Sequence, residues 1–398
     1  MSDVLSDISN SALENRRTAS LEAVRGVAAI VVVLWHSMLA FYPEHAGLYH
    51  QQWPDEFQLP DKWWFAFFNG TAAVILFFVL SGFVLTRRFF LTGEVRIPIT
   101  GSIKRWPRLL GPVTAVVLVS CSLFMLNAYW YPEAASITGS EWLKTFGNGI
   151  APNGTFTPRI SNAFSQGTFD TFFRGSASYD SSLWTMKFEL IGSLIVFGFA
   201  MITQPLLARK KPWFLYLAVV SIILCYYSSK IYASFLAGAI LAALLPATLV
   251  PVSRILSISG LAVSLFLFSY SDIRAARLGP LAPLDIQILA SVLLIGTALT
   301  FNQKILPQGM WLKALGKSLG WISFPIYLVH VPVICSIASA TLVLSGSKIL
   351  AYVSAVVFAF IAAIPFGFFN DWWLRRLNRG TADLFLSPMP HSSDARAS

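Results

Sequence analysis

Between Leu21 and Tyr42 the chain reads LEAVRGVAAIVVVLWHSMLAFY. Apolar residues fill this stretch without the opposite polar face that a helix on a soluble protein shows. A bilayer crossing takes about 20 residues of helix, and this run supplies them. Inside hydrocarbon the backbone can hydrogen-bond only to itself, so the segment is predicted to be a transmembrane helix. Two ionisable residues interrupt it, Arg25 and His36. Charge at membrane depth is costly, which marks such positions as functional candidates.

Outward from this stretch the same pattern recurs. Apolar runs at about 22–42, 65–86, 109–128, 182–203, 213–228, 231–247, 255–270, 285–301, 319–342 and 349–370 predict ten spans in an all-α polytopic bundle. The shortest, near 255–270, and the break near Lys230 are the least sharply marked. The bulk composition agrees: 56% of the 398 residues are hydrophobic and 12% are charged, against roughly 25% charged in a soluble domain. Residues 1–20 mix Asp3, Asp7 and Glu14 with Arg16 and Arg17 and lead to no small-residue cleavage site, so the first run is expected to be retained. The expected organisation is a cytoplasmic segment over 1–21, a transmembrane domain over 22–370 and a cytoplasmic, partly disordered tail over 371–398.

A net charge of +10 would suggest nucleic acid in a soluble protein; here the composition excludes that partner, and the charge reads as positive-inside bias. With the N-terminus in the cytoplasm, nineteen of the 29 Lys and Arg residues fall on inside segments and eight on outside ones. That predicts N-in/C-in, which an even number of spans also requires. Cys121, Cys225 and Cys335 all lie in apolar runs with no metal-ligand spacing, and read as small core residues. Two outer connections are long. One, about 43–64, holds His45, His50, Trp53, Trp63 and Trp64; the other spans about 129–180. Their aromatic residues suit an interfacial belt or a stacking platform for sugar rings. Asn153-Gly154-Thr155 in the second is a glycosylation sequon, a pattern that also arises by chance.

The ionisable residues within and beside the spans form four groups. Arg25 and His36 are eleven residues apart, which is three helical turns plus roughly 20°, so they share one face with about 16 Å between them. That face runs from a cationic mouth to a buried imidazole. The plainer alternatives are a snorkelling Arg25 beside Glu22 and a hydrogen-bonded packing role for His36. Arg105 and Arg108 are one turn apart at the start of the third span, where a guanidinium pair suits phosphate or simply anchors the membrane edge. Glu189 follows Leu183-Trp184 in the fourth span, two residues from Lys187, too close for the two to pair within a helix. Glu189 needs a partner from another span, Arg25 or His36 being the candidates, and a structural ion pair is the plainer role. His330, in Tyr327-Leu328-Val329-His330, reads alone as a satisfied structural histidine before a catalytic one.

These residues carry a family resemblance. The Arg25–His36 spacing resembles the opening helix of the membrane-bound acyltransferase-3 family. Phe77-Phe78-Val79-Leu80-Ser81-Gly82 is similar to its second-helix signature, Arg105-Trp106-Pro107-Arg108 to its RxxR motif, Trp184 with Glu189 to its Trp-x4-Glu segment, and Tyr327-Leu328-Val329-His330 to its late Tyr-Leu-x-His segment. The five occur in family order. Leu190, Ile191 and Lys187 depart from the fourth motif.

The resemblance implies an acyl-CoA-dependent O-acyltransferase with no permanently bound cofactor. Acetyl-CoA is the expected donor, and a cell-surface or lipid-linked carbohydrate such as exopolysaccharide or lipopolysaccharide the expected acceptor. The expected location is among the lipids of a bacterial inner membrane. In this reading Arg105 and Arg108 hold the donor nucleotide while the pantetheine arm threads inward. His36, with Arg25 and Glu189, carries the chemistry, as general base or transient acyl carrier. Ser81, Trp184 and His330 are secondary candidates, and Ser81-Gly82 is expected to allow close approach of backbone or ligand. The alternative is a polysaccharide transporter or flippase, which would show inverted repeats; none is evident. A scaffold subunit would leave the shared face of Arg25 and His36 unexplained.

Overall fold

In the computed structural model, residues 2–47, 57–149, 156–246, 252–279, 281–300 and 310–386 are described. The principal helices are α1 (Ser2–Phe41), α2 (Gly70–Thr92), α3 (Arg96–Met125), α4 (Trp184–Ala208), α5 (Trp213–Ser228), α6 (Lys230–Leu244), α7 (Arg254–Phe268), α8 (Pro283–Thr300), α9 (Met310–Val333) and α10 (Lys348–Leu386). A helix thus covers each predicted apolar run. Among the described residues seven spans are long and apolar enough to cross a membrane, the last two being Ala314–Ser345 and Lys348–Arg379. α5, α6 and α7 are shorter, at 16, 15 and 15 residues. The break near Lys230 is real: Ser229 is extended, with φ −165°, and its side chain caps α6 by accepting from the Ile231 N–H. His50, Trp53, the Asn153 sequon and the tail from Ser387 lie outside the described residues.

The helices run back and forth between a basic end, where α1 enters the bundle, and a loop end, where residues 43–47, 57–67 and 131–149 gather. α1 packs chiefly on α9, and α2 on α6. Small residues make both contacts close, as expected where lipid supplies no hydrophobic drive between helices. A Cβ on Gly26 would lie 2.5 Å from the Leu319 Cβ. At the α2–α6 crossing, Gly82 meets the Phe235 carbonyl and Gly238 meets the Val79 carbonyl, each leaving no room for a methyl group. The expected close approach at Ser81-Gly82 is therefore one of backbone to backbone. Gly82→Ala should cost about 3 kcal/mol of stability through this overlap. Thermal unfolding in detergent would read it, and an unchanged midpoint would mean the crossing is looser than described.

The long connection after α3 is not an open loop. It forms short helices over Tyr131–Thr138, Glu141–Lys144 and Ile160–Phe173, the last with a π-helical turn at Gln166–Asp170. Its aromatic residues are largely consumed in packing: Trp142 and Phe146 are buried, and Tyr129, Phe146, Phe156 and Tyr179 surround Phe124. Buried rings such as Trp142, Phe146 and Tyr179 offer no open face to a sugar, whereas Trp63, Trp130 and Phe164 remain exposed. Residues 160–173 lie along the middle of α3, with Gly167 against Thr114 and the Trp106 indole N–H donating to the Thr168 carbonyl at 3.2 Å. Ile160, Phe164, Phe169 and Phe173 all point outward. The extra residue of the π turn takes up the five-residue step between Phe164 and Phe169.

α10 also departs from expectation. It continues as helix past residue 370 to Leu386. The Trp373 indole N–H donates to the Pro107 carbonyl at 2.8 Å, and its ring fills the space beside Gly111. The start of the segment expected as a tail is thus clamped onto α3.

Candidate functional site

Two features face each other across Tyr327. The first is a cavity of about 690 Å³ within the bundle, opening among the residues of its basic end. This is within the size range of small-molecule sites. α1 contributes Glu22 and Arg25, α2 contributes Phe77 and Ser81, and α3 contributes Arg105 and Arg108. α4 adds Thr185 and Glu189, α9 adds Lys317, Trp321 and Tyr327, and α10 adds Asn370, Asp371 and Leu374. Its polar lining is mostly charged near the basic end. Farther from the basic end it is lined by Val74, Phe77, Thr185 and Tyr327. There the Tyr327 and Thr185 hydroxyls lie 2.9 Å apart, and they approach the Ser182 carbonyl at 3.1 and 3.0 Å respectively.

The second feature begins one turn farther along α9. His330 is wholly buried and His36 half-buried. His36 Nδ1 lies 2.7 Å from His330 Nε2, and His330 Nδ1 lies 2.7 Å from the Tyr327 carbonyl. The two ring planes are within 1°, with centroids 5.0 Å apart, as fits an edge-to-edge hydrogen bond in one plane. A carbonyl oxygen can only accept, so His330 Nδ1 carries the proton. In a neutral ring His330 Nε2 then accepts, and His36 Nδ1 donates to it. The lone pair of a neutral His36 is left on Nε2. Pro325 and Pro332 lie within α9 on either side of His330, and a π turn follows at Ile334–Ala338. Trp142 stacks on His36 from the loop end, with centroids 5.1 Å apart and planes at 21°. Its short helix is fastened by Ser140, whose hydroxyl donates to the Leu39 carbonyl at 2.6 Å.

The predicted residues divide accordingly. Arg25 lines the cavity, and its buried Nε has no acceptor. His36 does not line it, so the face shared by Arg25 and His36 is not one open path. Glu189 lies at the cavity wall, but its partner is neither Arg25 nor His36. It is ion-paired to the buried Arg105, and the Ser81 hydroxyl donates to the same carboxylate oxygen at 2.8 Å. Arg105 Nε donates to Ser193 Oγ at 2.7 Å. Arg105 is thus ion-paired within the protein, and both it and Arg108 line the cavity wall. His330, read from sequence chiefly as structural, is the partner of His36. Trp184 is exposed, lies edge-on to Phe188 and does not line the cavity.

Three contributors had no sequence signal of their own. Trp142 comes from an outer connection, and Lys317 is one basic residue among several at the basic end. Asp180, at the N-cap of Ser181–Leu183, is fully buried with Oδ2 unpartnered. Burial pushes its carboxyl up to about 8 against the pull of hydrogen bonds from Ser182. Among the described residues no group of His, Cys, Asp and Glu is arranged to hold a metal ion.

Comparison with known proteins bears on this arrangement. O-acetyltransferase PaAT-1 of Phomopsis amygdali is 23% identical over 372 residues, an alignment covering 81% of this chain and 73% of the relative. No solved structure matches the chain. The family model described as an acyltransferase domain matches residues 18–368, from just before the cavity-lining Glu22 to just short of Asn370. A bundle of apolar helices matched along nearly its whole length in this way belongs to the acyltransferase-3 family and is a membrane acyltransferase.

Proposed function

We propose that the chain transfers an acyl group, acetyl being the expected one, from cytoplasmic acyl-CoA to a hydroxyl of a carbohydrate. The observation that carries this reading is that Tyr327 lines the cation-lined cavity while its carbonyl holds His330, and through it His36, one turn farther along the same helix. The donor lies in the cavity with its phosphates at the basic end and its thioester toward Tyr327. His36 Nε2, held as the free lone pair by His330, takes the proton of the acceptor hydroxyl. The hydroxyl oxygen attacks the thioester carbonyl, the C–S bond breaks, and the leaving thiolate takes up the proton. The similarity to an O-acetyltransferase supports an oxygen acceptor and an acetyl group; the carbohydrate and the CoA carrier rest on the motif resemblance and the charged cavity.

Membranes containing the wild-type chain, given acetyl-CoA labelled in the acetyl group, should place label on a supplied glycan in base-labile ester linkage, above membranes lacking the chain. Label on a non-carbohydrate hydroxyl instead would replace the acceptor in this reading. No label on any hydroxyl acceptor would remove the donor.

A further inference from the structure

The cations that line the cavity are not equally available to a ligand. Arg105 is occupied by Glu189 and Ser193, and the Asp371 carboxylate accepts from the Trp321 indole at 2.8 Å. Among the described residues no carboxylate stands at ion-pair distance from Arg108 or Lys317, although both line the cavity. The two come from different helices, α3 and α9. The backbone that carries Lys317 is held by its neighbours. A Cβ on Gly316 would lie 3.2 Å from the Ala19 carbonyl, and one on Gly320 would lie 2.5 Å from the Glu22 Cβ. This turn of α9 is therefore pressed against α1, with Lys317 at the cavity edge. An ammonium on a flexible stem and a planar guanidinium complement each other around a phosphate. The buried Arg25 Nε has no protein acceptor and adds a further donor among the residues that line the same cavity.

We infer that Lys317 joins Arg108 in the phosphate subsite for the donor, the charge of Arg105 being offset there by Glu189. This rests on the acyl-CoA reading above and goes further by adding a residue outside the recognised motifs. Charge-assisted contacts of this kind are strong enough for one loss to be measured as about tenfold in affinity.

The test compares two donors, acetyl-CoA and S-acetylpantetheine, which keeps the thioester and lacks every phosphate. Lys317→Ala and Arg108→Ala should each raise KM for acetyl-CoA about tenfold. The preference for acetyl-CoA over S-acetylpantetheine should fall by the same factor, and Lys317→Arg should restore most of it. Titration of the purified variants with CoA should show matching losses of affinity, independent of turnover. An unchanged KM in Lys317→Ala, or equal losses with both donors, would overturn the subsite. If the wild-type chain neither binds CoA nor uses acetyl-CoA, the donor reading fails first, and that outcome is visible without any substitution.

Discussion

His36→Ala should lower acyl transfer by about 10³-fold while leaving KM for the donor nearly unchanged, because it removes the proton acceptor and touches nothing in the cavity. The same geometry predicts the behaviour of His330. His330→Leu leaves His36 without the acceptor that fixes its Nδ1 proton, so both tautomers become populated and the ring loses its hold. A fall of about 10²-fold in kcat is expected, by analogy with second-layer groups that orient a catalytic imidazole. His330→Gln offers an amide oxygen to the same Nδ1 proton and should recover part of that loss. Initial rates at saturating acetyl-CoA, with matched amounts of protein, check the series. Retention of more than about a tenth of wild-type activity in His36→Ala would place the base elsewhere, since general bases contribute 10²-fold or more. An inactive His330→Gln with an active His330→Leu would contradict the assigned tautomer.

Breaking the Arg105–Glu189 pair should be the most damaging change to stability. The side chains are only 9% and 15% exposed, and removing one partner leaves the other charged and buried, at a cost of about 3–5 kcal/mol. Glu189→Ala and Arg105→Ala should therefore both unfold at clearly lower temperature in detergent. Ser81 and Ser193, which hold the pair, cannot substitute for a charge. The double variant Arg105→Met/Glu189→Met should be less damaged than either single, because apolar replacement of a whole buried pair is often nearly neutral. Additive losses in the double variant would show that the two charges are not each other's principal partner. A stable but inactive Glu189→Ala would instead assign the carboxylate to chemistry.

The helices were legible because lipid imposes a rule that a single sequence can satisfy only one way: every run of sufficient length and apolarity must close its own hydrogen bonds. Pairing between runs follows no such rule. Arg105 and Glu189 are 84 residues apart, and His36 and His330 are 294 apart. Local spacing gave the correct elements and the wrong partner for Glu189. It named no partner for His330, which meets a ring from another helix. Trp142 and residues 160–173 were hidden for a different reason. They sit in polar, glycine-containing sequence that reads as a connection, yet Ser140, Gly167 and the π turn give that sequence the means to pack against α1 and α3. Hydropathy measures how a segment meets lipid; it does not record how one meets another helix.

The clamp of Trp373 on Pro107 has a practical bearing on where this molecule can be cut or joined. Hydropathy places the edge of the last span near residue 370, an inviting position for a fusion joint or a shortened form. In the structure that position is mid-helix, and Asp371 and Leu374 just beyond it are part of the chamber wall. A chain severed there would keep every apolar helix and lose one side of the room they enclose. The functional unit thus outruns its own hydrophobic sequence, and its border lies where the helix has released α3 rather than where the apolar residues stop.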